Sequence, residues 1–319
     1  MTSGYHEPVM LSEALQSLDI HSDGVYVDAT FGGGGHSRRI LSSLGENGKL
    51  VAFDRDPDAW HRAAGDSDFS QAGDRFVLIG ENFSLLRNHL RFRRLLPVDG
   101  ILADLGVSSH QFDVAERGFS TRLHGPLDMR MDRSGDLTAA LVLNTYAEEE
   151  LKRIFCVYGE IAFGGRLARE VVSRREEAPF VYTDEAAAFF ERFAQKGKEN
   201  KFLAMVFQSL RIEVNKELES LEALLTQSLE VLKPGGRLVV ISYHSLEDRL
   251  VKNFMRTGRL DGKEEKDFYG NNLSPIEPVV RKVMVPSPEE IERNPRSRSA
   301  KLRVARIKPA EKEVGRGQE

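Results

Sequence analysis

The first hundred residues alternate short apolar runs with helical stretches, and that alternation constrains the fold more than any other feature. Residues 25–29, 50–54, 75–79 and 100–104 read as strands. Helical segments fall at 37–44, from Pro57 onward, and at 84–96. Apolar strands with polar ends, separated by helices, predict an α/β domain with a parallel, doubly wound sheet. The alternation stops at about residue 111, where a glycine- and charge-rich segment runs to 133 and a mostly helical one from 137 to 195. It resumes with a long amphipathic helix over 206–232, a stop at Lys233-Pro-Gly-Gly236, a strand over 237–243 and a helix over 246–255. Two late strands are expected at 279–285 and 301–307. One sheet domain, residues 1–112 and 205–319, is therefore expected to be split by a helical insertion over 113–204. A length of 319 residues suits two domains.

Composition excludes several classes. With 40% hydrophobic and 29% charged residues the chain is not a disordered one. Its 45 basic and 49 acidic residues give a net charge of −4, which argues against a protein coated in positive charge but not against a local basic patch. No apolar run approaches the ~18 residues a membrane span needs. The start, Met1-Thr-Ser-Gly-Tyr-His-Glu-Pro8, has neither a basic leader nor an apolar core. A single cysteine, Cys156, permits no internal disulfide or multi-cysteine metal site. A cytoplasmic protein without membrane partners or a bound metal is the expectation.

The turn after the first strand is Asp28-Ala-Thr-Phe-Gly-Gly-Gly-Gly-His36. Doubly wound sheets bind ligands at the carboxyl ends of their strands, and glycines there let a ligand approach the backbone. Asp54, ending the second strand, is placed to accept both hydroxyl protons of a ribose. Gly33 and Gly35 fit a dinucleotide fingerprint, but Arg38 stands where its third glycine belongs, and Asp28 would repel a pyrophosphate and is better placed to bind a positively charged cofactor. A cofactor with an ammonium, a sulfonium, a ribose and no phosphate fits better, namely S-adenosylmethionine. Phe83, after the third strand, is a candidate platform for adenine. Asp104 ends the fourth strand, where a polar side chain can accept a hydrogen bond from an exocyclic amine.

An ordered set of strings makes the reading specific. They are Tyr5-His-Glu-Pro-Val-Met-Leu11, the glycine turn through Ser37, Asp54-Arg-Asp-Pro57, Asp104-Leu-Gly-Val-Ser-Ser109, Glu116-Arg-Gly-Phe-Ser120 and Gly125-Pro-Leu-Asp-Met-Arg-Met-Asp132. Phe207-Gln-Ser-Leu-Arg-Ile-Glu-Val-Asn215, Ser242-Tyr-His-Ser-Leu-Glu-Asp-Arg249 and Asn294-Pro-Arg-Ser-Arg-Ser299 complete it. The chain thereby resembles the RsmH (MraW) family of bacterial 16S ribosomal RNA cytosine-N4 methyltransferases. The resemblance implies a Rossmann-like S-adenosylmethionine-dependent domain with an inserted helical, substrate-recognising domain. It implies methyl transfer to the N4 amine of a cytidine in the decoding region of 16S ribosomal RNA, on the assembled small subunit. Cofactor contacts would fall on Gly34, Gly35, His36, Asp54, Phe83, Asp104 and Gln111. The chain departs from the family with Lys201-Phe-Leu-Ala-Met205 for His-Pro-Ala-Thr-Arg, Ile161 for a second Glu, Tyr243 for Phe and His110 for Pro.

Chemistry on cytosine divides by target atom. Attack at C5 requires a cysteine thiolate, and Cys156, in an apolar helical stretch, reads as a buried small hydrophobe. Transfer to N4 requires alignment of amine and sulfonium and an acceptor for the amine proton. Asp104 is the first candidate for that acceptor, with a purely cofactor-binding role as the equal alternative. His244, ending the fifth strand, either moves a proton or caps the next helix, beside Ser245-Leu-Glu-Asp248. Arg130 and Asp132 read as a clamp for a flipped cytidine or as a surface ion pair. Arg211 and Asn215, four apart, share a helix face. Arg296, Arg298 and Arg303 belong to a stretch, 293–308, that lacks acidic residues and suits phosphate contacts. The helix at 84–96 carries a second basic cluster, which reads as a solvated face. A DNA amino-methyltransferase and a non-catalytic RNA-binding assembly factor are the alternative functions. The oligomeric state stays open between monomer and homodimer.

Overall fold

The computed structural model describes residues 8–309, so the first three residues of the Tyr5–Leu11 string lie outside the described residues. Two compact units emerge among the described residues: those up to Asp54, Asp58–Gly106 and those from Leu221 onward form one, and Arg55–Pro57 with Val107–Ser220 the other. These bounds differ from 112/113 and 204/205, and they add a three-residue piece after the second strand to the inserted unit.

The first unit is built on a seven-stranded sheet: β1 (Val25–Asp28), β2 (Lys49–Phe53), β3 (Phe76–Ile79), β4 (Val98–Asp104), β5 (Leu232–Ser242), β6 (Ile276–Pro278) and β7 (Lys301–Ile307). Their order is β3-β2-β1-β4-β5-β7-β6, with β1 to β5 parallel and β7 antiparallel to both neighbours. Alternate residues of the central strands face opposite cores, as the two-residue period demands. Val27, Ile101, Ala103, Leu238 and Val240 pack on one side with Leu86, Leu90, Leu224 and Phe254. Tyr26, Leu102, Val239 and Ile241 pack on the other with Ala14, Leu18, Ile40 and Leu41. Both faces are covered, so the strands read as continuous apolar runs. The carboxyl ends of β1, β2, β4 and β5 share one sheet edge.

Three expectations fail locally. Residues 279–285 are not a strand; β6 ends at Pro278, and only an isolated bridge joins Met284 to Leu302. Lys233–Gly236 belongs to β5, taken up by an irregularity opposite Val98–Gly100, with Gly235 at φ +83°. The single helix expected over 206–232 is two, Glu199–Asn215 and Glu217–Val231, broken where Lys216 turns left-handed at φ 49°.

The second unit is helical, with helices at Ser109–Asp113, Ala139–Thr145, Glu148–Arg153, Gly164–Glu177, Thr183–Glu191 and Glu199–Asn215. Its core is aromatic. Phe180 meets Phe189 edge-on at 5.2 Å, and Phe155 meets Phe190 at 5.9 Å. Among the described residues no helix is long and apolar enough to cross a membrane.

Candidate active site

The glycine turn folds as it does for identifiable reasons. Asp28 accepts from the Thr30 amide at 3.0 Å and from the Ser37 hydroxyl at 2.6 Å, pinning the start of the turn to the first turn of the Gly35–Ser43 helix. Thr30 in turn accepts from the Asp104 amide at 2.7 Å, which ties β1 to the end of β4. Gly34 sits at φ +76°, and a Cβ there would strike the Phe31 and Phe69 rings at 2.8 and 2.9 Å. A Cβ on Gly33 would meet nothing closer than Arg62, at 4.0 Å. That opening is a cradle with room for a ligand.

Asp54 follows β2, and its carboxylate accepts from the Gly32 amide at 2.7 Å. The sequence reading missed Trp60, whose indole N–H donates to the Asp54 carbonyl at 2.6 Å and whose ring covers Gly80 so closely that a Cβ there would be 2.3 Å away. Its signal was available, since Trp60 lies one turn into the helix that follows the second strand, Pro57–Ala64. Phe83 begins a short turn of 3₁₀ helix and packs, partly buried, on the sheet core.

His36 and Asp104 face each other, Nδ1 to Oδ2, at 3.7 Å. Burial pushes the imidazole down to about 4, so it is neutral at pH 7 and the contact is not an ion pair. Its Nε2 is buried without a hydrogen-bond partner, a polar atom that a ligand can satisfy. Burial raises Asp104 to about 7, against the Tyr243 hydrogen bond that lowers it and with the charges of Asp28, Glu247 and Glu290 that raise it further. The Tyr243 hydroxyl donates to Asp104 Oδ1 at 2.7 Å. Burial also raises Asp28, whose carboxylate is consumed by its own turn rather than turned toward a ligand.

Other expected site residues have different work. His244 is a helix cap: its Nδ1 accepts from the Glu247 amide at 3.4 Å, and Glu247 reaches back to the Tyr243 amide at 2.9 Å. Arg303 is paired with Asp248 at 2.7 Å, so the basic stretch, acid-free in sequence, is partly neutralised in space. Arg296 and Arg298 are exposed. Arg87, in the second basic cluster, meets Glu230 at 2.8 Å.

In the second unit, Gln111 closes a capping box with Ser108, and its amide nitrogen donates to Asp56 at 2.6 Å. Arg117, 1% exposed, donates to the same Asp56 oxygen at 2.7 Å and to the Arg130 and Met131 carbonyls at 3.0 and 3.1 Å. Arg130 does not pair with Asp132; it grips Asp128 through two nitrogens at 2.8 and 2.7 Å, and Asp132 is exposed. Arg211 and Asn215 take different side-chain partners, although Asn215 Nδ2 also donates to the Arg211 carbonyl at 2.9 Å. Arg211 forks onto Glu217 at 2.8 Å, while Asn215 clamps the Met129 carbonyl and Met131 amide at 2.7 and 2.8 Å. Cys156 is exposed, not buried, because its π-helical turn, Ile154–Tyr158, buries Ile154, Phe155 and Tyr158 instead.

The doubly wound sheet with its antiparallel β7, the helical insertion and the open glycine turn define a Rossmann-like, S-adenosylmethionine-dependent methyltransferase. The chain belongs to the MraW methylase family, whose model matches residues 3–308. It is similar to a Ribosomal RNA small subunit methyltransferase H from Flavobacterium johnsoniae, 52% identical over 304 residues that cover 95% of this chain and 98% of the relative. A protein of the same name from Parabacteroides distasonis is 53% identical over 304 residues, with 95% and 97% covered. A solved rRNA methylase from Streptococcus thermophilus is 13% identical, with a TM-score of 0.38 over 93% of each chain.

The two glycines separate packing from binding. Gly34→Ala lowers stability by about 1–3 kcal/mol through its ring clashes and positive φ. Gly33→Ala keeps the wild-type melting temperature but weakens S-adenosylhomocysteine binding, followed by the fluorescence of Trp60, the single tryptophan. Unchanged affinity in Gly33→Ala would move the cofactor off this turn.

Proposed function

We propose that the protein transfers a methyl group from S-adenosylmethionine to the N4 amine of a cytidine in the decoding region of 16S ribosomal RNA, on the assembled small subunit. The observation that carries this reading is Asp104, a half-buried carboxylate at the end of β4 whose Oδ2 faces a neutral His36. The names of the curated relatives support small-subunit ribosomal RNA as the substrate class. S-adenosylmethionine supplies an electrophilic methyl group on a sulfonium. Asp54 would hold the ribose hydroxyls, Gly33 would line the cradle, and Phe83 and Trp60 are the rings that would serve the adenine. The unpartnered Nε2 of His36 would hydrogen-bond a bound cofactor. Asp104 accepts a hydrogen bond from the N4 amine, which aims the nitrogen lone pair away from the carboxylate, and takes up the proton as the nitrogen becomes tetrahedral. Burial of the carboxylate strengthens that interaction. The loop at 128–133, fixed by Arg117, Arg130 and Asn215, presents Asp132 to the RNA, and Arg296 and Arg298 contact phosphates.

Radiolabelled methyl donor offered with small subunits from a strain lacking this methylation, with naked 16S RNA and with duplex DNA tests the substrate. Label enters the subunit RNA; label only in DNA would favour a DNA amino-methyltransferase. Binding to subunits with no label anywhere would leave a non-catalytic assembly factor. Cys156→Ser retains the wild-type rate within about threefold, because no covalent intermediate forms. A folded but inactive Cys156→Ser protein would contradict N4 transfer.

A further inference from the structure

Asp104 has one described hydrogen-bond donor on its carboxylate, and that donor is a phenol. Tyr243 follows β5 directly, and its hydroxyl lies 2.7 Å from Asp104 Oδ1, whereas His36 Nδ1 stands 3.7 Å from Oδ2, beyond hydrogen-bond reach. The phenol is itself fixed. Its backbone amide donates to Glu247 Oε2 at 2.9 Å, and its ring lies against Gly106, where a Cβ would be 3.4 Å away. The other charged groups that act on Asp104 are Asp28 from β1, Glu247 from the Ser245–Thr257 helix and Glu290 from the Pro288–Arg293 helix, all acidic, with His36 neutral. None of them favours a charged carboxylate.

We propose that Tyr243 is a positioning residue for methyl transfer: its hydroxyl holds Oδ1 of Asp104 in a fixed direction, leaves Oδ2 for the substrate amine, and sets the pH range in which transfer runs. The proposal rests on the reading of Asp104 as the amine's acceptor. Only the ionised carboxylate accepts the amine proton, so the rate rises as pH passes through the titration of Asp104. The phenol stays protonated throughout, since burial and then the Asp104 charge hold it well above its ordinary range. A hydrogen bond to the charged form lowers the pKa of an acid, and its removal raises it.

The test is the pH dependence of transfer to small subunits between pH 6 and 9. Phe at 243 keeps the ring against Gly106 and deletes only the donor. Tyr243→Phe moves the acid limb upward by about one pH unit, making the variant about tenfold slower than wild type at pH 6.5, with a gap that narrows toward pH 9. Genetically encoded 3-fluorotyrosine at 243, a more acidic donor, moves the limb the opposite way. A wild-type to variant ratio constant across pH, or limbs that do not move in opposite senses, would overturn the assignment. Full activity in Asp104→Ala would remove the underlying reading itself, whatever the Tyr243 variants do.

Discussion

Asp104→Ala lowers the rate of methyl transfer by about 10²–10⁴-fold, the range associated with a positioned acid–base group. Affinity for S-adenosylhomocysteine falls much less, because Asp54, His36 and the glycine turn are untouched. Asp104→Asn is the informative companion. Its carbonyl still accepts from Tyr243 and from the substrate amine, but it cannot take a proton, so part of the rate returns while the acid limb near pH 7 disappears. Stability moves the other way. The carboxyl is raised from its unfolded value of 3.8 to about 7, so ionisation opposes folding: stability falls as pH rises through that window, and the cost is fully present above it. Asp104→Asn is therefore more stable than wild type in denaturant titrations at pH 8.5 and equal to it near pH 3. Equal stability at both pH values would mean that the carboxylate is not held against burial.

Arg117→Ala has the largest effect on stability, about 3–5 kcal/mol by urea denaturation. The guanidinium is buried and binds the buried Asp56 and two carbonyls of the loop before Asp132. Its removal takes the guanidinium from the buried Asp56 carboxylate and leaves the Gln111 amide on the same oxygen. Removing both charges, as in Asp56→Asn with Arg117→Met, recovers much of the loss, because a buried pair is expensive to break and cheap to replace. A loss below about 1 kcal/mol in Arg117→Ala would show that water reaches Asp56.

The contrast between these two residues shows what a sequence discloses. The place of Asp104 at the carboxyl end of β4 was legible because it ends an apolar strand in an alternating pattern, and strand ends in doubly wound sheets are where ligands are sought. The glycine turn and Asp54 were legible for the same reason. Asp56 and Arg117 were present in the quoted strings, but a buried ion pair between residues 61 positions apart has no periodic signature. The helix break at Lys216 was hidden because neither glycine nor proline marks it. The basic stretch misled in part because charge along a sequence says nothing of partners across a sheet: Asp248 and Glu277 neutralise Arg303 and Arg306. Arg130 and Asp132 are close in sequence, yet Arg130 takes Asp128, two residues on its other side. Tyr243 and Asp104, 139 residues apart, meet because β4 and β5 are parallel neighbours, which the pattern predicts for the strands and not for the hydroxyl.

The central claim is that Asp104 directs the methyl group to an amine. Small-subunit RNA methylated by the wild-type protein, digested to nucleosides and analysed by mass spectrometry against synthetic standards, tests it most directly. The account predicts N4-methylcytidine, lost in Asp104→Ala and retained in Cys156→Ser. 5-Methylcytidine in its place, or a methylated nucleoside that survives Asp104→Ala undiminished, would contradict it.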